Sequence, residues 1–360
     1  MTAKDFDAVI VGGGPAGSAA ALALLKRGAR VAIVERKAVA EDRMGESLQG
    51  AGLEILRELR VLDAMKQMEM RPSYLHRASW GGGMEERSAI RSRFGPDLHL
   101  DRQRFDTLLL DQAKARGAAL FQPATLRGVD IVRGAVCVHV SNERGLREFR
   151  AAWVLDATGG AASVLRRVGA TRHRVDRLVG FAGHYELGQI EPSTLVEAAD
   201  EGWWYSAPRP GGRMVTIFLT DADSPARHAT QAAVWRRCLD SAPLTRARTR
   251  PSVPAGEIRS YVAAPGISRW DTRLPVLPVG DAALSFDPIA ADGICFALRS
   301  GIEAAEVCCS RSLRVAAAYR QGAERVFSTH LARRESIYAA ERRVRTSAFW
   351  QRDRSGNIRM

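Results

Sequence analysis

Residues 7–20 read DAVIVGGGPAGSAA, and this stretch decides the fold. Asp7 to Val11 is short, apolar and β-branched, the pattern of a strand buried in a parallel sheet. It runs into Gly12-Gly13-Gly14-Pro15-Ala16-Gly17, a GxGxxG spacing, and then into the helical run SAAALALLKRGA. The glycines have separate tasks: Gly12 makes the tight turn, Gly14 lets a pyrophosphate approach the backbone, and Gly17 lets helix and strand pack closely. With Pro15 and Ala16 the helix opens, and its first N–H groups and partial positive charge face the phosphates. A second strand, Arg30 to Val34, ends in Glu35, 18 residues beyond Gly17. A carboxylate there accepts bonds from the ribose hydroxyls of an adenosine, and Arg36 beside it is a further candidate. Strand, glycines, helix, strand and acid in this order predict a dinucleotide site.

Around this start lie 360 residues, 46% of them hydrophobic, enough for a full core and two closely joined domains. No apolar run approaches the roughly 18 residues of a membrane span. MTAKDFDAVIV lacks the charged, apolar and small-residue order of a secretory signal, so a cytoplasmic protein is expected. Five cysteines (Cys137, Cys238, Cys295, Cys308 and Cys309) are odd in number and lack CxxC spacing. Buried free thiols are expected, with no disulfide framework and no metal site. The net charge is +13, with five lysines against 48 arginines and no lysine beyond Lys114. The arginines are interspersed with acids and accompany no nucleic-acid motif, which reads as a solvated surface without a nucleic-acid partner.

Two later segments narrow the dinucleotide. AWVLDATG (152–159) is another buried strand, closing on Gly159. In LPVLPVGDAALSFDPIAADGICFALRSGIEAA (274–305) a strand meets Gly280-Asp281, then Pro288 and Gly293, then an apolar helix. Here the chain resembles the superfamily of FAD-dependent aromatic hydroxylases and flavin-dependent halogenases, with the fold of p-hydroxybenzoate hydroxylase. GESLQG (45–50) and HLDRQRFDTLLLDQA (99–113) fall in register with the same superfamily, as does the C-terminal YAAERRVRTSAFWQR (338–352) with its halogenase-like branch. The resemblance implies FAD. Asp281 would bond the ribityl chain and pyrophosphate, and Pro288, Gly293 and Ile294 would lie under the isoalloxazine. Ser47 would sit beside the flavin and Arg102 on its side of the fold, with Asp101 capping the helix that Arg102 opens. A helix start at Gly293 would stabilise negative charge on reduced flavin. Many relatives carry a glycine two residues before Gly293, where Ala291 stands here; Asp292 is expected to cap that helix, a bias on the flavin's charge being the other reading.

The fold implied is α/β: a Rossmann-like, three-layer FAD-binding domain with an inserted antiparallel β-sheet substrate domain and a C-terminal helical segment. The FAD-binding part is discontinuous, at 1–70, 98–171 and 274–315. The substrate domain comprises 71–97 and 172–273, whose alternating runs VGFAGHYEL and GRMVTIFLTD read as antiparallel strands; C-terminal helices fill 316–360. Gly81 to Gly83 are followed by MEERS and not by an apolar helix, so a separate NAD(P)H domain is not expected. Transiently bound NAD(P)H or a partner flavin reductase would reduce the FAD.

The stretch GWWYSAP (202–208) approaches a known signature without matching it. Tryptophan halogenases of this superfamily carry WxWxIP; aligned on Pro208, Tyr205 replaces the second tryptophan and Ala207 the isoleucine. They also place a lysine before a segment resembling ASWGG (78–82), and no lysine falls between Lys66 and Lys114. The resemblance therefore implies oxygen insertion into an electron-rich aromatic ring through a C4a-hydroperoxyflavin. Trp203, Trp204 and Tyr205 are candidates to line the substrate pocket, with packing as the other reading of any one ring. Strand alternation puts Trp203 and Tyr205 on one face and Trp204 on the other. His76, His184, Glu197 and Tyr205 are the candidate acid–base residues. STLVEA, GWWYSAP and the FW tail are most similar to flavoproteins that hydroxylate tryptophan inside the precursors of tryptophylquinone-type oxidases. A protein or peptide tryptophan is thus the expected substrate, quinone cofactor biogenesis the expected role, and an acidic precursor a match for the positive charge. Hydroxylation or halogenation of a free or carrier-bound small aromatic, in natural-product biosynthesis, is the alternative.

Overall fold

The computed structural model describes residues 4–41, 43–89, 92–132, 134–186, 188, 191–249, 254–344, 346–352 and 354; the outer ends of the expected first and last segments, 1–3 and 355–360, lie outside the described residues. The opening strand, Lys4–Val11, is buried from Ala8 to Val11, and it pairs in parallel with Val31–Val34 on one side and Gly145–Asp156 on the other. The register aligns Val11 with both Val34 and Asp156, and Asp156 in turn aligns with Pro278 of Val276–Pro278. Because parallel strands end on the same side, the segments beginning at Gly12, Glu35, Ala157 and Val279 converge at one sheet edge. Ala119–Phe121 extends the sheet beyond Val31–Val34, and Thr125–Val132 and Ala135–Asn142 form a meander on the first half of Gly145–Asp156.

Helix Pro15–Leu25 packs against Arg102–Ala115 and Gly293–Ser310. The second contact is backbone to backbone. A Cβ on Gly301 would lie 2.5 Å from the Ala16 carbonyl oxygen and 2.8 Å from the Ala20 nitrogen, so small residues on both helices set their approach.

The second large sheet runs Arg259–Val262, Leu178–Glu186, Arg213–Asp221, Gly202–Arg209, Ser193–Ala199, Leu75–Trp80, Gly83–Ser88. It is antiparallel except where Ser193–Ala199 and Leu75–Trp80 run in parallel, and Gly81 and Gly82 form the hairpin turn between its last two strands. The alternation in GWWYSAP behaves as expected: Trp203 and Tyr205 pack on one face, Trp204 on the other beside Phe218 and Trp235.

Among the described residues the C-terminal part holds the 28-residue helix Leu313–Ala340 and the one-turn helix Ala348–Gln351. The turn brings Trp350 back against Trp80, with ring centroids 5.1 Å apart. Cys238 and Cys308 are buried as expected, Cys137 and Cys295 are half-buried, and Cys309 is exposed. Among the described residues no helix is long and apolar enough to cross a membrane.

Candidate active site

At the convergent sheet edge a groove starts between Gly13, Gly14, Glu35 and Arg43. It continues over Gly14, Pro15, Arg43, Gly159 and Asp281 to an inner cavity. The glycine turn builds the outer part. Gly12 has φ +113°, and a Cβ on it would lie 2.2 Å from the Ala157 carbonyl oxygen; a Cβ on Gly17 would lie 2.0 Å from the Gly12 carbonyl oxygen. Gly14 differs, since a Cβ there meets nothing within 4 Å, so the space above it belongs to the groove. Glu35 accepts hydrogen bonds from the Gly13 and Lys37 N–H groups at 2.7 and 2.8 Å, which fixes its carboxylate at the groove wall.

Gly14→Ala is therefore expected to leave the unfolding midpoint of the cofactor-free chain almost unchanged. It should weaken dinucleotide affinity at least about tenfold, or roughly 1.4 kcal/mol, because a methyl group would occupy the phosphate approach. Parallel thermal unfolding and flavin titration of the variant check both halves.

Deeper in, Arg102 is buried and doubly paired with Asp106, Nε to Oδ1 at 3.0 Å and Nη2 to Oδ2 at 3.1 Å. Its Nη1 donates to the Met44 and Gly45 carbonyls and so ties down the loop that carries Glu46 and Ser47. Asp101 caps the helix, accepting from the Arg104 N–H at 3.1 Å. Asp281 is open to the groove, within electrostatic reach of Arg172, Arg102 and Arg43.

Pro288, Asp292, Gly293 and Ile294 line the inner cavity. The cap expected of Asp292 is absent. Its backbone is already helical (φ −85°, ψ −12°) and its side chain makes no bond to the helix, since a side-chain cap needs an extended residue. Its carboxylate accepts from Gln49 Nε2 at 2.8 Å. The first N–H groups of Gly293–Ser310 thus stay available to the cavity.

The opposite wall comes from the second sheet and the strand at its edge: Tyr205, Ile217, Leu219 and Tyr261. Burial, and after it the negative charge of Glu46, holds both tyrosine hydroxyls far above the usual phenol range, so both rings stay neutral O–H donors. The Tyr205 hydroxyl is buried beside Ser47 and has no partner in bonding geometry.

The structure separates several residues that the sequence grouped. Of the four acid–base candidates only Tyr205 lines the cavity. His76 bonds Thr194 Oγ1 at 2.7 Å and approaches Asp97, and His184 pairs with Arg209 at 3.2 Å. Glu197 accepts the Leu244 and Thr245 N–H groups and the Thr245 hydroxyl, so it caps the helix Pro243–Arg248. Trp203 and Trp204 are 0% exposed and neither lines the cavity: Trp203 donates to Tyr338 Oη at 2.8 Å, and Trp204 packs on the far face. Trp203 shares its face with Tyr205 but is closed off by Tyr338 and Trp80, and Trp204 faces away from the cavity. Arg36 is exposed and outside the groove lining, where Lys37 and Arg43 stand instead. Sequence reasoning missed Glu46, Tyr261 and Asp287. Glu46 lay inside the recognised GESL run and Asp287 immediately before Pro288, whereas nothing local marked Tyr261.

Behind Ser47, His99 is fully buried with both ring nitrogens unpartnered. Burial, with the charges of His76 and Arg248, lowers its pKa from 6.5 to about 3. The unfolded chain takes up a proton near pH 6.5 and the folded chain does not, so stability falls as pH drops through that window. The slope from this one group reaches about 1.4 kcal/mol per pH unit. His99→Leu should flatten the dependence of the urea midpoint on pH between about 6.5 and 4 relative to the parent chain.

Comparison with known proteins agrees with this geometry. A family model described as an FAD binding domain matches residues 5–329. LodB of Marinomonas mediterranea, whose name marks it as an FAD-dependent oxidoreductase, is 27% identical over 97% of this chain and 97% of its own. Among solved structures, the myxobacterial FAD-dependent halogenase CndH superposes with a TM-score of 0.88 at 24% identity, covering 99% of this chain and 86% of that one. QhpG, a peptidyl tryptophan dihydroxylase essential for tryptophylquinone cofactor biogenesis, gives 0.76 at 23% identity, covering 97% and 78%.

Proposed function

The chain belongs to the FAD binding domain family, within the flavin-dependent hydroxylases and halogenases, and from that premise we propose that this FAD-dependent oxidoreductase hydroxylates a tryptophan ring held in a protein or peptide. The observation that carries the reading is the inner cavity itself. The wall facing the Pro288–Ile294 loop is two neutral tyrosines and aliphatic side chains, and no lysine stands among the described lining residues of the cavity. Halogenases of the WxWxIP type position their halogen species with such a lysine. QhpG, which shares the fold, acts on a peptidyl tryptophan.

Bound in the groove, the flavin supplies oxygen activation; the chain supplies the rest. Glu35 and the open face of Gly14 receive the adenosine and pyrophosphate end. Asp281 and the start of the Pro15–Leu25 helix would hold the middle, and the N–H groups at Gly293 and Ile294 would stabilise negative charge on the ring. Ile217 and Leu219 exclude water. Tyr205 and Tyr261 would offer O–H donors to the substrate ring and orient it. The excess positive charge of the chain suits an acidic precursor.

Tyr205→Phe is expected to keep FAD bound and lower turnover by about 10- to 100-fold, the scale of one lost donor in a dry site; flavin absorbance and product formation, measured on the same sample, separate the two effects. The function itself is tested with the FAD-loaded protein, an unmodified tryptophan-containing precursor, and either NAD(P)H or a flavin reductase as electron source. A mass gain of about 16 Da on tryptophan, one oxygen atom, is expected. Bromide-dependent product, or turnover confined to a free phenol or indole, would overturn the assignment.

A further inference from the structure

The strand Arg259–Val262 is the outermost of the second sheet, and among the described residues it pairs only with Leu178–Glu186. The register sets Tyr261 opposite Gly180, and the Ala263 N–H donates to the Leu178 carbonyl at 3.0 Å. Antiparallel ladders alternate. Arg259, Tyr261 and Ala263 therefore turn their main-chain groups inward to the sheet, and Ser260 and Val262 turn theirs outward. Apart from Arg259 at its start, the strand carries none of the charges, prolines or bulges that blunt an exposed edge, and Val262 is 60% exposed.

This edge is also the rim of the active-site cavity. Tyr261, Val262, Ala263 and Ala264 all line it. The Tyr261 ring lies over Gly180, where a Cβ would approach it to 2.4 Å, and so leans across the sheet face toward the cavity. An extended chain paired along Ser260 and Val262 would project alternate side chains, about 6.6 Å apart, onto that same face.

We propose that the outward main-chain groups of Ser260 and Val262 take a segment of the substrate polypeptide as an added β-strand, and that this seating delivers its tryptophan into the adjoining cavity. The inference rests on the polypeptide substrate proposed above and supplies its mode of recognition: main-chain pairing for affinity, the cavity for selection of one side chain. A free small aromatic has no such groups to offer.

The test uses the FAD-loaded full chain and a pool of end-blocked nonapeptides with tryptophan at the centre and randomised flanks. Hydrogen–deuterium exchange reads the Ser260 and Val262 amides, which should slow at least about tenfold with bound peptide and stay unchanged with N-acetyltryptophanamide. Ser260→Pro removes one outward N–H and leaves the inward ladder whole; it should weaken peptide binding at least about tenfold. Peptide binding that leaves both amides unchanged would overturn the proposal, as would absence of peptide binding alongside turnover of a free aromatic. Slowing that grows with protein concentration in the absence of peptide would also overturn it, by assigning the edge to a second copy of the chain. Oxygen addition is read separately by mass: a peptide that docks on the edge and gains no oxygen sinks the hydroxylase reading and leaves this one standing.

Discussion

Arg334→Ala should lower the stability of the chain by about 3–5 kcal/mol, the cost of leaving a buried carboxylate without its cation, and should release the loop at Pro288 that lines the inner cavity. Arg334 lies in the long C-terminal helix with a side chain 0% exposed. Its Nε donates to Asp287 Oδ2 at 2.6 Å and its Nη2 to Asp176. Asp287 is 0% exposed as well; Oδ2 also accepts the Tyr338 hydroxyl at 2.9 Å, and Oδ1 accepts the Ile289 N–H at 3.0 Å. Asp287 therefore shapes the turn Pro288–Ala290 that lines the cavity, and Arg334 neutralises it. Asp176 keeps a second partner in Arg354 at 3.0 Å, so the uncompensated charge in the variant falls on Asp287. Two comparisons isolate that cause. Adding Asp287→Asn to Arg334→Ala should restore part of the loss, since the buried charge goes with its partner. Arg334→Lys should fall between, keeping the charge without the fork that serves two carboxylates. Urea unfolding of the cofactor-free proteins measures all three, and flavin retained through gel filtration reports the loop. A loss under about 1 kcal/mol for Arg334→Ala would show that the pair is not the brace described.

What could be read from the sequence follows from how local each physical demand is. The glycine turn, Glu35, the Asp101 cap and the Gly280-Asp281 segment are each set by a few neighbouring residues, and each stands where its spacing put it. The split of Trp203 and Trp204 onto opposite faces was equally legible, because a strand alternates whatever surrounds it. Whether a face is a pocket or a core is a different matter, fixed by what packs against it. Trp203 is closed off by Tyr338 and Trp80, which arrive from the far end of the chain and from another strand. The same long-range packing turned His184 and Glu197 into structural partners of Arg209 and of a helix start. Asp292 shows a subtler limit. Its residue type suits a cap, and only the backbone angles, already helical, rule the cap out.

Gly12→Ala is expected to destabilise the cofactor-free chain by on the order of 4 kcal/mol, a large share of the about 5–15 kcal/mol that holds a domain together. Two costs combine. At φ +113° an L-residue is strained by about 1–3 kcal/mol. The new Cβ would also lie 2.2 Å from the Ala157 carbonyl oxygen, and relieving such overlap in a packed region costs about as much again. Neither side can yield cheaply. The Gly12 N–H is held by the Val34 carbonyl at 2.8 Å, and the Ala157 N–H by the Val11 carbonyl at 2.8 Å, so moving either residue breaks a ladder between central parallel strands. The variant should give little soluble protein, or protein that unfolds well below the parent and binds no FAD. Set against Gly14→Ala, two residues away, the result separates two meanings of glycine in one motif: at Gly12 a side chain would strike the protein, and at Gly14 it would strike only the ligand. Similar behaviour of the two variants in denaturant would refute that division, whichever way the shared result fell.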